Sequence, residues 1–396
     1  MDDFPPLSAG HRLDHVQQPI IAHIGELIRA HPGTISLGQG VVFYPPPPQA
    51  LETMHSGLQQ MHVHKYGATQ GLHELRYQLA EKLQRENRID IDNPARILVT
   101  AGSNMGFYYA LLAITNPGDE IILLLPYYFN HEMAINMLGC RPLLVACTDS
   151  YQIDLDALRR AISPQTRAIV TISPNNPTGV VYAAETLCAV NDLCRNHGIY
   201  HISDEAYEYF TYDGAVHFSP ASLAQAQAHT ISVFSLSKAY GFASWRIGYL
   251  ALPPQLSDVL DKIQDTILIC APLVCQYAAL GALQAGSAYC RLHIGQIAAN
   301  RRTMLSHLEA LDSLIDPPHA EGAFYILLRV HIGLSSLEVA QRLIREHGVA
   351  VIPGSAFGMD QGCYLRIAYG ALEQHSATEG IERLVRGLKA LADPAK

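Results

Sequence analysis

Charged residues are scarce in this chain of 396 residues, at 16% of the total, and lysine and arginine never form a block. The 27 basic residues are outnumbered by 36 acidic ones, which gives a formal net charge of −9. Without a basic patch, the chain has no electrostatic footprint for phosphate backbones. We therefore expect no nucleic-acid partner.

Paired cysteines and metal-ligand spacings are also missing. The eight cysteines stand singly, without a CxxC pair, and they are too sparse for a disulfide scaffold. The 19 histidines are scattered, and His62 and His64 have no carboxylate or cysteine nearby to complete a ligand set. We expect buried thiols and no metal site.

No targeting or membrane segment is evident in the sequence. The start, MDDFPPLSAGHRLDH, is acidic and contains prolines where a secretory signal needs a basic and then an apolar stretch, which favours a cytoplasmic protein. Residues 266–290 carry no charge, but Pro272, Gln276 and Gly281 interrupt the run. We expect a helix buried in a large soluble domain and no membrane partner.

Hydrophobic residues, at 49%, are sufficient for a large core, and the length suggests two or three domains. Short apolar runs alternate with helical patterns, which is typical of an α/β fold with a parallel sheet buried on both faces. The alternating pairs are RILVTAG with NMGFYYALLAI, DEIILLLP with FNHEMAINMLG, and RAIVTISP with AETLCAVNDLCRNHG. After Gly286 long helices mix with strands such as AFYILLRV, which predicts a smaller α+β domain.

These patterns predict three parts of the chain. Residues 1–44 are too short for a domain and precede a stiff PPPP connector, so we expect an arm that packs on the small domain or on a partner subunit. Residues 45–286 are predicted to form the large domain and residues 287–396 the small one.

Polar segments directly follow the predicted strands, where ligand groups gather in open α/β sheets. Gly102, Ser103 and Asn104 open a helix whose N–H groups could bind a phosphate, although a turn with an N-cap explains them equally well. In PNNPTG two prolines fix the backbone, so the amides of Asn175 and Asn176 could point into a cleft; a proline-rich turn is the alternative.

Two charged residues stand at the ends of buried strands. Burying the Asp204 carboxylate there without a cationic partner would cost free energy; the alternative is that Asp204 is only an N-cap. Lys238 follows the apolar run ISVFSL, and burial would lower its pKa towards that of a nucleophilic, Schiff-base lysine. A surface lysine at a strand end is an equally good interpretation of this segment alone.

Seven motifs, in this order, resemble the class I/II aminotransferases of pyridoxal phosphate fold type I: YGATQGLHELR, SPNNPTG, DEAYEYF, SLSKAYGFASWRIGY, EGAFY, VIPGSAFG and YLRIAYG. The resemblance runs from about Ile35 to Leu388. It implies a large domain with a mostly parallel seven-stranded sheet, a smaller α+β domain, pyridoxal 5'-phosphate as cofactor and a homodimer with shared active sites. Two further segments, PYYFNHEMAINMLG and YEYFTYDGAVHF, resemble the plant branch that acts on methionine or aromatic amino acids.

The resemblance implies a role for each residue that matches a motif. Lys238 would bind the cofactor and move the substrate proton, and Asp204 would pair with the pyridine nitrogen. Tyr207 and Asn176 would contact the ring 3′ oxygen. The phosphate site would comprise Gly102, Ser103, Asn104, Ser235, Ser237 and Arg246.

The resemblance also implies the surroundings of the ring and the substrate. Tyr128 would stack on the ring, with the adjacent Tyr127 as the alternative, and Tyr66 would reach the partner subunit's cofactor phosphate. Arg366 would bind the substrate α-carboxylate, helped by Asn176 and the backbone near Gly40.

The expected reaction is ping-pong transamination between an amino acid and a 2-oxo acid. A lyase or decarboxylase of the same fold, or a non-catalytic protein that binds the cofactor, is the alternative. Residues 265–286 contain no cation for a second carboxylate, and residues 40–44 are apolar or aromatic. We therefore expect methionine, phenylalanine, tyrosine, tryptophan or glutamine in preference to aspartate, unless Arg12 or Arg291 swings into the site.

Overall fold

A central sheet and a smaller C-terminal sheet organise the chain, which a computed structural model describes from residue 11 to residue 393. The acidic start at residues 1–10, part of the predicted arm, and residues 394–396 of the predicted small domain lie outside the described residues. The strands are β1 (Ile35–Ser36), β2 (Ile97–Thr100), β3 (Glu120–Leu125), β4 (Arg141–Ala146), β5 (Thr166–Ile172), β6 (Tyr200–Asp204), β7 (Thr230–Ser235), β8 (Gly248–Ala251), β9 (Tyr325–Val330), β10 (Val349–Ala350), β11 (Ile352–Pro353) and β12 (Cys363–Ala368). The α-helices are α1 (Ile20–Ala30), α2 (Pro48–Leu58), α3 (His73–Lys82), α4 (Ser103–Ile114), α5 (Phe129–Met137), α6 (Leu155–Ala161), α7 (Ala184–His197), α8 (Leu236–Ala239), α9 (Ser257–Ile267), α10 (Leu273–Leu308), α11 (Ser336–His347) and α12 (Gln374–Ala392).

The central sheet has seven strands in the order β2-β8-β7-β6-β5-β3-β4. Only β8 runs antiparallel to its neighbours, and the other pairs are parallel. Helices cover both faces, so β5, β6 and β7 are buried along almost their whole length. This burial explains why these strands are continuous apolar runs in the sequence, and the predicted α/β fold is confirmed.

The C-terminal part is built around the antiparallel sheet β11-β12-β9. Helix α11 packs on this sheet, and α12 packs on α10 and α11. Helix α11 begins where the Ser335 hydroxyl accepts the Glu338 N–H at 3.2 Å, and it ends at Gly348. Helix α10 connects the two parts and is broken at Gly286 (φ 68°, ψ −174°), a conformation that is open essentially to glycine alone. The change of pattern seen after Gly286 therefore coincides with a break in the longest helix.

The N-terminal segment packs on the C-terminal part of the chain. Strand β1 pairs in parallel with β10, and α1 contacts α11 and β11. The uncharged run at residues 266–290 is divided among the end of α9, a connection and the first half of α10. The prediction of a single buried helix over this run is therefore wrong in its bounds. Among the described residues, no helix has the length and apolar character needed to cross a bilayer. The exact domain boundaries stay predictions.

Candidate active site

The polar segments after β2, β5, β6 and β7 meet at one end of the central sheet, because the carboxyl ends of these parallel strands lie at the same edge. They enclose a small cavity of about 100 Å³. Nearly all of its lining side chains are polar: Ser103, Asn104, Tyr128, Asn176, Asp204, Tyr207, Ser235, Ser237, Lys238 and Arg246. The structure thus brings together most of the residues that the motifs predicted.

One end of this cavity is built to bind an anion. Helix α4 starts directly after Gly102 (φ 84°), and no side chain caps the N–H groups of its first turn. This positive φ favours glycine, and a Cβ at Gly102 would displace the Arg246 guanidinium from its position beside the start of the helix. The Arg246 Nη1 donor lies 3.5 Å from the Ser237 hydroxyl oxygen. These donors fit a phosphate group.

Lys238 lies between the polar cavity and a larger one beside it. Its ammonium group donates to the carbonyl oxygen of Gly40. Burial lowers the pKa of Lys238 to about 8, and the positive charges of Arg366 and Arg246 act in the same direction while Asp204 opposes them. The neutral, nucleophilic form of the amine is therefore easier to reach near neutral pH than it is for an exposed lysine.

Asp204 ends β6, and its carboxylate is held from two sides. One oxygen accepts the backbone N–H of Ala206 at 3.1 Å, and the other lies 3.2 Å from Nε2 of His131. The imidazole of His131 stacks on Phe107 with 3.9 Å between ring centroids. Sequence analysis missed His131, although it stands in the quoted segment PYYFNHEMAINMLG, because nothing local to that segment indicates a contact with β6.

Tyr207 and Tyr325 form a second pair that the sequence analysis did not assign. Their hydroxyl groups share a hydrogen bond of 2.8 Å. Burial raises the pKa of Tyr207 well above its ordinary value and that of Tyr325 to about 12, so both remain neutral hydrogen-bonding groups. The motif EGAFY, which contains Tyr325, was the one sequence feature that could have indicated a place for Tyr325 in the site.

Arg366, in the middle of β12, is 2% exposed. Its Nη1 donates to Asn176 Oδ1 at 3.0 Å, and its Nη2 donates to the carbonyl oxygen of Gly38 at 2.8 Å. Nε is buried without a hydrogen-bond partner among the described residues. The guanidinium group lies over the Tyr325 ring, 4.5 Å from its centroid. The carbonyl oxygen of Gly40 accepts from Lys238, and the predicted help of the backbone near Gly40 in binding the substrate carboxylate stays a prediction.

The larger cavity, of about 320 Å³, shares Tyr128, Asn176, Tyr207 and Lys238 with the polar one. Its remaining walls are mainly apolar, and helix α1 supplies much of them. The apolar side chains in its lining are Ile21, Ile24, Ile28, Val41, Phe129 and Ile352. Among the described residues that line it, the cations are Lys238 and Arg366. Arg12 and Arg291 are not part of the lining.

Tyr128 and Tyr66, two predicted site residues, lie in different places. Tyr128 lines both cavities, whereas Tyr127 lines neither and packs beside Gly358. Tyr66 is 80% exposed and lies on the surface next to Cys270 and Leu273, outside both cavities of its own chain. The structure therefore brings Tyr128 to the site and leaves Tyr66 away from it.

Comparisons with known proteins agree with this arrangement. The chain matches the family model of aminotransferase class I and II over residues 32–384. It is 34% identical to the aromatic aminotransferase ISS1 of Arabidopsis thaliana over 94% of each chain, and 31% identical to an aspartate aminotransferase of Pyrococcus abyssi over 97% of this chain and 99% of the relative. The structure of Thermus thermophilus aspartate aminotransferase with maleate aligns with a TM-score of 0.89 at 32% identity, covering 96% of this chain and 100% of that one. The protein belongs to the class I and II aminotransferases, which are pyridoxal phosphate-dependent enzymes of fold type I.

Proposed function

We propose that this aminotransferase takes the amino group from an apolar or aromatic amino acid and passes it to a 2-oxo acid in a ping-pong cycle. The donors we expect are methionine, phenylalanine, tyrosine, tryptophan and glutamine. The observation that carries the proposal is the apolar cavity that begins beside Arg366 and Lys238 and has no further cation among its described lining residues. The alternatives of a lyase, a decarboxylase or a non-catalytic binder have no support among the relatives reported above.

The residues of the small polar cavity fit the cofactor. Pyridoxal phosphate, when bound, supplies the electron sink that stabilises the carbanion left by loss of the substrate Cα proton. The donors around Gly102, Ser103, Asn104, Ser235, Ser237 and Arg246 bind its phosphate in this proposal. Tyr128 would pack against the ring, and Tyr207 and Asn176, which line the same cavity, would supply hydrogen-bonding groups for its 3′ oxygen.

We assign two proton positions to this chain's own side chains. Lys238 would hold the cofactor through its amine until the amino group of the substrate displaces it. The freed amine, whose pKa is lowered to about 8, would then take the proton from the substrate Cα and give it up again as the amino group is transferred. Asp204 would keep a proton on the pyridine nitrogen, since a carboxylate beside that nitrogen favours its charged form. His131 orients the Asp204 carboxylate through its contact at 3.2 Å.

Arg366 binds the substrate α-carboxylate in this proposal. Because Asn176 and Gly38 each accept one of its N–H groups, the guanidinium plane is fixed before the substrate arrives. A fixed planar fork matches a carboxylate by two parallel hydrogen bonds. The substrate side chain then extends into the apolar cavity under α1.

The relatives carry the names of both aromatic and aspartate aminotransferases, so the substrate side chain is the decisive question. A second carboxylate in the larger cavity would lose its water without gaining a charge partner, which costs several kcal/mol. We expect kcat/KM for phenylalanine and for methionine to exceed that for aspartate by at least about 100-fold. Steady-state kinetics with one common 2-oxo acid measures this ratio, and a value for aspartate equal to or above that for phenylalanine would refute the proposed substrate class.

A second copy of the chain completes the proposed site. Tyr66 and the neighbouring Met61 are large, strongly exposed side chains, and Tyr66 borders a surface hollow with Leu268 and Leu273. Packing of a partner subunit over this surface would bury the apolar area. We propose that Tyr66 then donates its hydroxyl hydrogen to the cofactor phosphate in the partner's cavity.

A further inference from the structure

Helix α1 presents an apolar face to the larger cavity, and that face has one gap. Ile21, Ile24, Gly25 and Ile28 all line the cavity. These positions are spaced by three, four and seven residues, so they lie on one side of a helix. At Gly25 the row of isoleucine side chains is interrupted by a residue without a side chain.

The space at Gly25 is open. A Cβ placed there has a single neighbour within 4 Å, Nη1 of Arg29 at 3.6 Å, and Arg29 is an exposed, flexible side chain. A helix with glycine in its interior is less stable than the same helix with alanine, so helix formation does not favour glycine at this position. Its backbone is helical, so no unusual dihedral angle requires glycine either. What glycine contributes here is volume in the cavity wall.

We propose that Gly25 is a specificity-determining residue that sets how long a substrate side chain the enzyme accepts. The inference rests on the proposed function, because it takes the α-carboxylate to be bound at Arg366 and the side chain to extend towards α1. The notch between Ile21 and Ile28 receives the distal part of a long or aromatic side chain. A substrate with a short side chain ends before it reaches the notch.

The test compares Gly25→Ala and Gly25→Val with the matched control Gly295→Val. Gly295 is also a helical glycine, in α10, but it is exposed, a Cβ there meets nothing within 4 Å, and it lines neither cavity. Two non-reacting acids that share a carboxylate, propionate and 3-phenylpropionate, are titrated calorimetrically into each holoenzyme. Turnover of alanine and of phenylalanine is measured alongside, and thermal melting checks that each variant folds.

In Gly25→Val we expect the Kd of 3-phenylpropionate to rise, and the kcat/KM of phenylalanine to fall, by at least about tenfold. This is the scale of one misfitted methylene in an apolar pocket. Propionate and alanine should stay within about threefold of wild type, with Gly25→Ala intermediate and Gly295→Val unchanged. Equal losses for the short and long ligands, or no loss for the long ones, would overturn the inference. A wild-type enzyme that prefers aspartate to phenylalanine would refute the substrate proposal instead, and the two non-reacting acids would still decide the role of Gly25.

Discussion

Replacing Lys238 by alanine is expected to lower kcat by at least about 10⁴-fold, the upper end of what one positioned acid–base group contributes. The loss should be this large because the same amine both binds the cofactor and moves the Cα proton. Within the described residues, Lys238 is the only lysine that lines either cavity. Single-turnover and steady-state rates with phenylalanine measure the effect.

The matched control for this variant is Lys262→Ala, because Lys262 is an exposed lysine on α9 that lines neither cavity. The control should keep wild-type kcat, and both variants should melt as cooperatively as the wild type. A Lys238→Ala enzyme that turns over within about tenfold of wild type would show that another group moves the proton.

Replacing Arg366 by lysine is expected to lower kcat/KM for amino acid substrates by about 10²- to 10³-fold. Lysine keeps the charge but loses the planar fork, so its single nitrogen cannot offer a carboxylate two parallel N–H groups while it also replaces the two nitrogens that bind Asn176 and the Gly38 carbonyl. Truncating one partner of a buried, hydrogen-bonded charge pair costs about 2–5 kcal/mol, and most of this loss should be in KM. Steady-state kinetics and the Kd of 3-phenylpropionate both measure it.

Arg329→Lys is the control for the Arg366 variant. Arg329 lies on the neighbouring strand β9, directly opposite Tyr364 of β12, but it is exposed and lies near Asp316. It should keep kcat/KM unchanged. If Arg366→Lys instead lowered kcat while the ligand Kd remained that of wild type, Arg366 would not be the residue that binds the carboxylate.

The sequence was most informative where chemistry follows directly from position on a strand. Ser103, Asp204 and Lys238 each stand at or shortly after the end of a buried apolar run, and the carboxyl ends of parallel strands meet at one edge. Their assembly in one cavity was therefore predictable before any distance was known. The motifs added roles for Asn176 and Arg366, which stand too far apart in the chain for spacing to connect them.

Two kinds of contact were not predictable from the sequence: those made by backbone carbonyl oxygens, and those made by a side chain distant in the chain. The carbonyl oxygens of Gly38 and Gly40 bind Arg366 and Lys238, and a backbone carbonyl has no signature in side-chain pattern. His131 reaches Asp204 from α5, 73 residues earlier in the chain, and only the packing of α5 against the sheet edge places it there. The gap at Gly25 became meaningful only once the structure placed α1 over the larger cavity.

The central claim, that the cofactor is bound by Lys238 in the cavity at the carboxyl edge of the sheet, can be measured directly. The holoenzyme is reduced with borohydride, digested and analysed by mass spectrometry for a pyridoxyl group on lysine. We expect one modified site, Lys238, and no modification at exposed lysines such as Lys65 or Lys262. A pyridoxyl group found at another lysine, with Lys238 unmodified, would contradict the assignment of the site.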